Sequence, residues 1–230
     1  MIIGINGYAG SGKDTVGTII QYMYANHSHP STSLEEVLKE PDAHDWWLEE
    51  QSSWEIKKWA GKLKEIASML TGIPKHKFED QEFKKTNLGP EWNDNPAGKR
   101  GLGTSHKEPM TVREFLQRLG TDGLRDGLHE NVWVNALMAD YKAIDYNDDE
   151  QPEHPNWIIT DTRFPNEAKA IKNAGGLVIR IDRPGVKPIN DHPSEIGLDN
   201  WDFDYKIANV SDIKALTLTI RMILEKEYIL

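Results

Sequence analysis

The stretch GYAGSGKDT, Gly7 to Thr15, most narrows what this chain can fold into. A short β-branched apolar run, Ile2 to Asn6, precedes it, and Val16, Ile19, Ile20 and Met23 follow at helical spacing. Strand, glycine loop and helix in that order is the setting of a phosphate-binding loop, G-x-x-x-x-G-K. Such a loop works because glycines let backbone N–H groups face phosphate oxygens, while a helix N-terminus and a lysine add positive potential. Gly7, Ala9, Gly10, Ser11, Gly12, Lys13, Asp14 and Thr15 are therefore the expected nucleotide-phosphate residues. Asp14 stands where Ser or Thr usually helps to hold magnesium, and Thr15 comes one place later. A carboxylate about 4 Å from a phosphate charge costs ~4 kcal/mol per charge pair at an effective dielectric of 20. Asp14 must then face away, or a magnesium ion or its water must lie between. The expectation is that Thr15 hydrogen-bonds a donor phosphate and Asp14 orders a magnesium water.

Beyond the loop, apolar strands alternate with helices. WEIKKWA (54–60) reads as a second strand. Leu63, Ile66, Ala67 and Leu70 form the stripe of a helix stopped by Gly72 and Pro74. Thr111 and Glu114 make a T-x-x-E capping box for a helix whose stripe is Val112, Phe115, Leu116 and Leu119. A further helix carries Val132, Trp133, Ala136 and Leu137. WIITD (157–161), a helix closed by Gly175 and Gly176, LVIRI (177–181), YKIAN (205–209) and a helix capped by Ser211 or Asp212 follow. The alternation predicts a parallel α/β sheet. Residues 27–52, rich in His, Ser, Pro and acids, read as an exposed insertion. Residues 84–109, polar with Gly and Pro, read as a mobile flap or disordered stretch, and 184–204 as irregular with a mobile segment. The 230 residues suffice for one well-buried domain, or at most two small ones.

The net charge of −10 argues against a general nucleic-acid-binding surface. A phosphate ligand must be held locally, against an unfavourable global field. The absence of Cys removes disulfides, thiolate catalysis and Cys-ligated zinc together. No basic segment with an apolar one precedes the loop, and no apolar run approaches the ~20 residues that span a membrane. A cytoplasmic protein without membrane partners is expected, in the host cytoplasm if viral.

Ligands of parallel sheets sit beyond the C-terminal strand ends. That edge selects Asp161 as a magnesium-side carboxylate, and Arg163 and Arg183 as phosphate-facing cations, with surface ion pairing as the competing reading for the arginines. Arg180, inside its strand, is expected to pack or pair there. On the capped helix Glu114 and Arg118 form an ordinary i, i+4 pair. Arg113 and Gln117 share another ridge: the arginine can grip a phosphate and the amide can read a base edge. Arg125 is a second candidate grip, and Trp133 is expected in the core. The eight His show no metal-binding spacing. HPSE (192–195) reads either as a mobile catalytic segment or as a loop with a Ser cap. DRPG (182–185) matches a GTPase D-x-x-G, but no N-K-x-D accompanies it.

The G-K-x-T spacing also occurs in adenylate kinase and its relatives. GYAGSGKDT, TVREFLQRLGTDGLRDGLHENVWVN, WIITDTRFPNEAKAIKNAGG, VIRIDRP and HPSE together resemble the deoxynucleoside monophosphate kinases of tailed bacteriophages, in the family's order and over most of the chain. The resemblance implies a P-loop NTPase-like three-layer α/β/α fold with a five-stranded parallel sheet and helical acceptor and lid insertions, all within a single kinase domain, 1–230. It implies ATP and magnesium as donor system, a deoxynucleoside monophosphate as acceptor, Lys64 on the acceptor side, and Asn209 at the adenine pocket. In that scheme Lys13 and the loop amides hold the donor, Asp14 and Asp161 order magnesium, Arg163 and Arg183 neutralise the moving phosphoryl group, and Arg113, Gln117 and Arg125 hold the acceptor. Two other functions stay open: a kinase for another phosphorylated metabolite, of the dephospho-coenzyme A or phosphomevalonate type, and a nucleotide-binding switch or assembly protein. A homodimer is left open too.

Overall fold

The computed structural model describes residues 1–25, 32–92, 109–143, 153–189 and 193–229. They fall into two compact units, Met1–Trp59 with Leu137–Leu230, and Ala60–Ala136.

The first unit is built on a five-stranded sheet. β1 (Ile2–Asn6), β2 (Trp54–Lys57), β3 (Asn156–Ile159), β4 (Leu177–Asp182) and β5 (Tyr205–Ala208) lie in the order β2-β3-β1-β4-β5. Every pairing is parallel, with Ile3 opposite Ile158 on one side and Leu177 on the other. A central parallel strand is covered on both faces and needs no polar alternation, so all five residues of β1 are buried. Ile3 and Ile5 meet α1 (Lys13–Met23) through Val16, Ile19 and Ile20, and α9 (Ile213–Lys226) through Leu216, Ile220, Ile223 and Leu224. Gly4 points the other way, toward α7 (Pro165–Asn173): a Cβ there would lie 2.3 Å from Ile171 Cδ1. Helices on both faces make the three-layer α/β/α arrangement. Asp212 caps α9 by accepting the Ala215 amide.

The exposed insertion expected at 27–52 needs correction. Residues 27–31 lie outside the described residues, but 34–51 form α2 (Leu34–Lys39) and α3 (Pro41–Gln51). Ser33 and Glu36 close a capping box, and Val37, Trp47 and Leu48 are buried in a small cluster with Ala25. Two short helices offered too few apolar positions to establish a period against so many acids. Between β4 and β5, Pro193–Ile196 form a single helical turn, α8, and Leu198 and Phe203 are buried.

Among its described residues the second unit holds α4 (Gly61–Thr71), three short 3₁₀ turns, α5 (Val112–Gln117), a π-helical continuation over Arg118–Asp126, and the start of α6 (Val132–Met138). Its core is Ala67, Phe78, Leu88, Val112 and Phe115. α4 ends at Gly72 with φ 71°, the left-handed stop expected of glycine. The predicted stripe is half right: Ala67 is buried, but Leu70 is 53% exposed, and Lys64 occupies a buried place. Thr111 caps α5 by accepting the Glu114 amide, and Glu114 pairs with Arg118. Residues 84–92 are folded rather than part of a flap: Leu88 is buried and Trp92 stands edge-on to Phe115 at 4.9 Å. The remainder of that expectation, 93–108, lies outside the described residues. Trp133 is buried and donates its indole N–H to the Gly120 carbonyl, a core residue as expected. Among the described residues no helix is long and apolar enough to cross a membrane.

Candidate active site: the braced phosphate loop

A loop can offer its N–H groups to an anion only if its carbonyls point elsewhere and find partners. Here they do. Lys13 Nζ curls back to the Tyr8 carbonyl (3.3 Å), Arg183 reaches the Gly10 carbonyl (3.4 Å), and Asn209 Nδ2 donates to the Ser11 carbonyl (2.9 Å). Gly10 and Gly12 adopt φ 81° and 98°, left-handed backbone that favours glycine. At Gly12 a Cβ would lie 2.7 Å from Asn209 Nδ2, so glycine also makes room for that brace. Gly12 caps α1 without a side-chain hydrogen bond. Ser11 Oγ is buried with no partner. An unpartnered buried hydroxyl, a glycine cradle and a lysine at a helix start fit an anionic oxygen ligand.

Lys13 is held below the usual lysine range, chiefly by burial; Arg163 adds to this, while Asp14, Glu195 and Asp161 pull the other way. A partly desolvated ammonium among mixed charges gains most from an arriving phosphate. The predicted residues Lys13, Asp14, Asp161 and Arg163 are thus brought together. Asp14 has a mostly exposed side chain, and it is held: Oδ1 accepts the Thr160 hydroxyl (2.9 Å) and lies 3.9 Å from Lys58 Nζ. Asp161 follows β3 and accepts the Trp59 amide (2.8 Å). Arg163 lies 3.8 Å from Glu195, and its own amide donates to Glu167, a buried carboxylate that also accepts the Phe164 amide. Among the described residues no three carboxylates and imidazoles form a metal cage. A divalent ion would therefore need phosphate and water oxygens for most of its shell, which is the usual state of magnesium beside a nucleotide.

Arg180 behaves as expected of a strand residue: it is 7% exposed and bonds Asn6 Oδ1 and Asp182 Oδ1. Asn209, assigned to the adenine pocket, has its side-chain amide committed to the loop. Of HPSE, His192 and the Ser194 side chain lie outside the described residues; Glu195 is the part that faces the site. Tyr8, Lys58, Thr160 and Glu167 were missed. Of these Lys58 carried a signal, since it stands directly after β2.

The acceptor candidates belong to the second unit. Lys64 is buried and paired with Glu79. Arg113 donates to Gln81 Oε1 (3.2 Å), Gln117 is exposed at the end of α5, and Arg125 lies half-buried in the π-helical turn.

A five-stranded parallel sheet whose central strand runs through a carbonyl-braced glycine loop into a helix is the arrangement of a P-loop kinase-like α/β fold. Residues 76–220, more than half of the chain, match the deoxynucleotide monophosphate kinase family, and the chain belongs to that family. A protein of Acanthamoeba polyphaga mimivirus is 40% identical over 95 residues, 38% of this chain and 47% of that one. The deoxynucleotide monophosphate kinase of Enterobacteria phage T4 is 31% identical over 115 residues, 50% of this chain and 46% of that one. The deoxynucleoside-5'-monophosphate kinase of Escherichia phage T5 is 25% identical over 239 residues, 92% of this chain and 90% of that one. The chain thus spans about half the length of the first two and most of the third. The family match begins at residue 76, past the glycine loop, so loop geometry and family membership are separate lines of evidence.

Proposed function

We propose that this protein transfers the γ-phosphoryl group of ATP to the 5′-phosphate of a deoxynucleoside monophosphate. The observation that carries the reading is the braced loop, whose Tyr8, Gly10 and Ser11 carbonyls are turned to partners of their own, beside a buried Ser11 hydroxyl and Lys13. An acceptor phosphate oxygen attacks the γ-phosphorus in line, the bond to the β–γ bridging oxygen breaks, and ADP and a deoxynucleoside diphosphate leave. The acceptor oxygen is already anionic at neutral pH, so the work is positioning and charge neutralisation.

Lys13, Thr15, the Ser11 side chain and the amides of Gly7, Ala9, Gly10, Gly12, Lys13 and Asp14 hold the donor phosphates, the Ser11 amide being bonded to the Tyr8 carbonyl (3.1 Å). Arg163, released from Glu195 when phosphate arrives, neutralises the transferred group. Arg183 braces the loop and lies where it can share that charge. Asp14 and Asp161 are the carboxylates that would hold a magnesium ion through water, and such an ion would supply charge neutralisation to the donor phosphates. Lys64, Arg113, Gln117 and Arg125 are assigned to the acceptor, and residues 1–230 act as a single kinase domain. The partners are small nucleotides, with no nucleic acid or membrane, and the compartment is the cytoplasm.

Turnover with ATP and magnesium against each deoxynucleoside monophosphate and its ribonucleotide counterpart tests the reading. ADP release that depends on a deoxynucleotide is the expected result. Turnover indifferent to every nucleotide acceptor, or elicited only by another phosphorylated metabolite, would overturn it.

A further inference from the structure

The mechanism leaves one cluster of charged side chains without a task. Beneath the head of the loop, Arg180 is buried in the middle of four partners. Its NH1 donates to Asn6 Oδ1 (2.6 Å) and reaches Asp199 Oδ1 (3.4 Å); its Nε donates to Asp182 Oδ1 (2.9 Å). Its guanidinium lies over the Tyr8 ring, 4.4 Å from the centroid. Tyr8 in turn donates its hydroxyl to Asp199 Oδ1 (2.8 Å), and Asn6 Nδ2 donates to the Thr162 carbonyl (2.7 Å).

These groups adjoin segments that carry the site. Asn6 ends β1 directly before the loop. Tyr8 is the loop residue whose carbonyl takes Lys13 Nζ. Thr162 stands between Asp161 and Arg163. Asp199 follows α8, three residues after the turn that bears Glu195. A planar guanidinium can serve several acceptors and an aromatic face at once, which a lysine ammonium cannot. A cluster that only stabilised the sheet would not need a loop tyrosine as its outer member.

We propose that Arg180, Asp199 and Tyr8 form a positioning relay that sets the head of the phosphate loop, and with it the Tyr8 carbonyl on which Lys13 rests. None of the three touches nucleotide; they act through the loop. The proposal rests on the loop being a nucleotide site.

The test is ATP affinity, by titration of the full-length protein, together with steady-state kinetics and melting temperature, for Tyr8→Phe, Asp199→Asn and the double variant. Tyr8→Phe keeps the ring under Arg180 and removes only the hydroxyl. Each single change is expected to weaken ATP binding by roughly 3–10-fold, the scale of one hydrogen bond. The double variant is expected to do no worse than either single, because both break the same link. KM for the deoxynucleotide should hold while KM for ATP rises. Arg180→Lys should be as impaired as Arg180→Met. Tyr24→Phe, which removes a hydroxyl bonded to the Ile229 carbonyl, serves as the control: it should lower the melting temperature alone. Unchanged ATP affinity in both single variants, whatever their melting temperatures, would overturn the relay, as would effects that multiply in the double variant. Wild-type protein that binds no ATP would instead fail the nucleotide-site reading and take the relay down with it.

Discussion

In the proposed reaction donor binding turns on Lys13, and its environment predicts a pH signature. Burial holds its pKa down in the ligand-free protein. For a lysine, a depressed folded pKa means that carrying the charge costs stability below that pKa, and the cost is relieved as pH rises through the unfolded value. A polyphosphate reverses the balance by favouring the charged form. ATP affinity should therefore decline as pH rises, beginning below the pH at which an ordinary lysine titrates. Lys13→Arg should remove that decline; fluorescence titration across alkaline pH checks both. Lys13→Ala should lower turnover by ~10²–10³-fold, the scale of losing one preorganised electrostatic group. Near-wild-type turnover would count against the assignment. Gly12→Ala forces an L side chain into left-handed backbone, at roughly 1–2 kcal/mol, and pushes it onto Asn209. Loss of the Ser11 brace should weaken ATP binding as well as stability, and Asn209→Ala should reproduce only the binding loss. The glycines and lysine of the loop were plain in sequence because spacing alone specifies them, and Asp14 stood out as the departure from that pattern. Asn209 and Tyr8 carried no local sign of their roles: their partners Ser11 and Asp199 are remote in sequence and meet them only in the folded sheet.

At the scale of elements, the strands and long helices were legible because each is a run of one period. β1 and β4 are unbroken apolar runs, and α9 repeats its stripe over fourteen residues. Short elements were not. α2 has six residues and one buried side chain, and composition outweighed pattern there. The π-helical stretch over Arg118–Asp126 has no periodic signature either; its glycines read simply as breaks. Thr111, by contrast, announced its cap. Thr111→Ala should destabilise the protein by ~1 kcal/mol, read as a lower denaturation midpoint with unchanged slope. Gly4→Val should cost more than that, because its side chain would meet Ile171 in a packed layer.

For the whole molecule, the net charge of −10 sets a field that repels nucleotides, so affinity must come from the loop and its few cations. A ligand that binds the native state alone stabilises by about 2.7 kcal/mol at a hundred times its Kd. ATP at that level should raise the melting temperature of wild type, with a far smaller shift for Lys13→Ala in thermal denaturation. Slowed amide exchange should concentrate in the loop, whose N–H groups take the phosphate.

The sequence by itself determined the five strands, the longer helices beside them, the glycine–lysine loop and the family resemblance, because periodicity and a tight glycine motif act over a few neighbouring residues. Only the tertiary structure decided how that loop is kept open. Its carbonyls are satisfied by Arg183 and Asn209 from the ends of other strands, and its head is held by Arg180 and Asp199. Hydrogen-bond partners so far apart along the chain meet only once a parallel sheet has set their register, and no local pattern encodes that meeting.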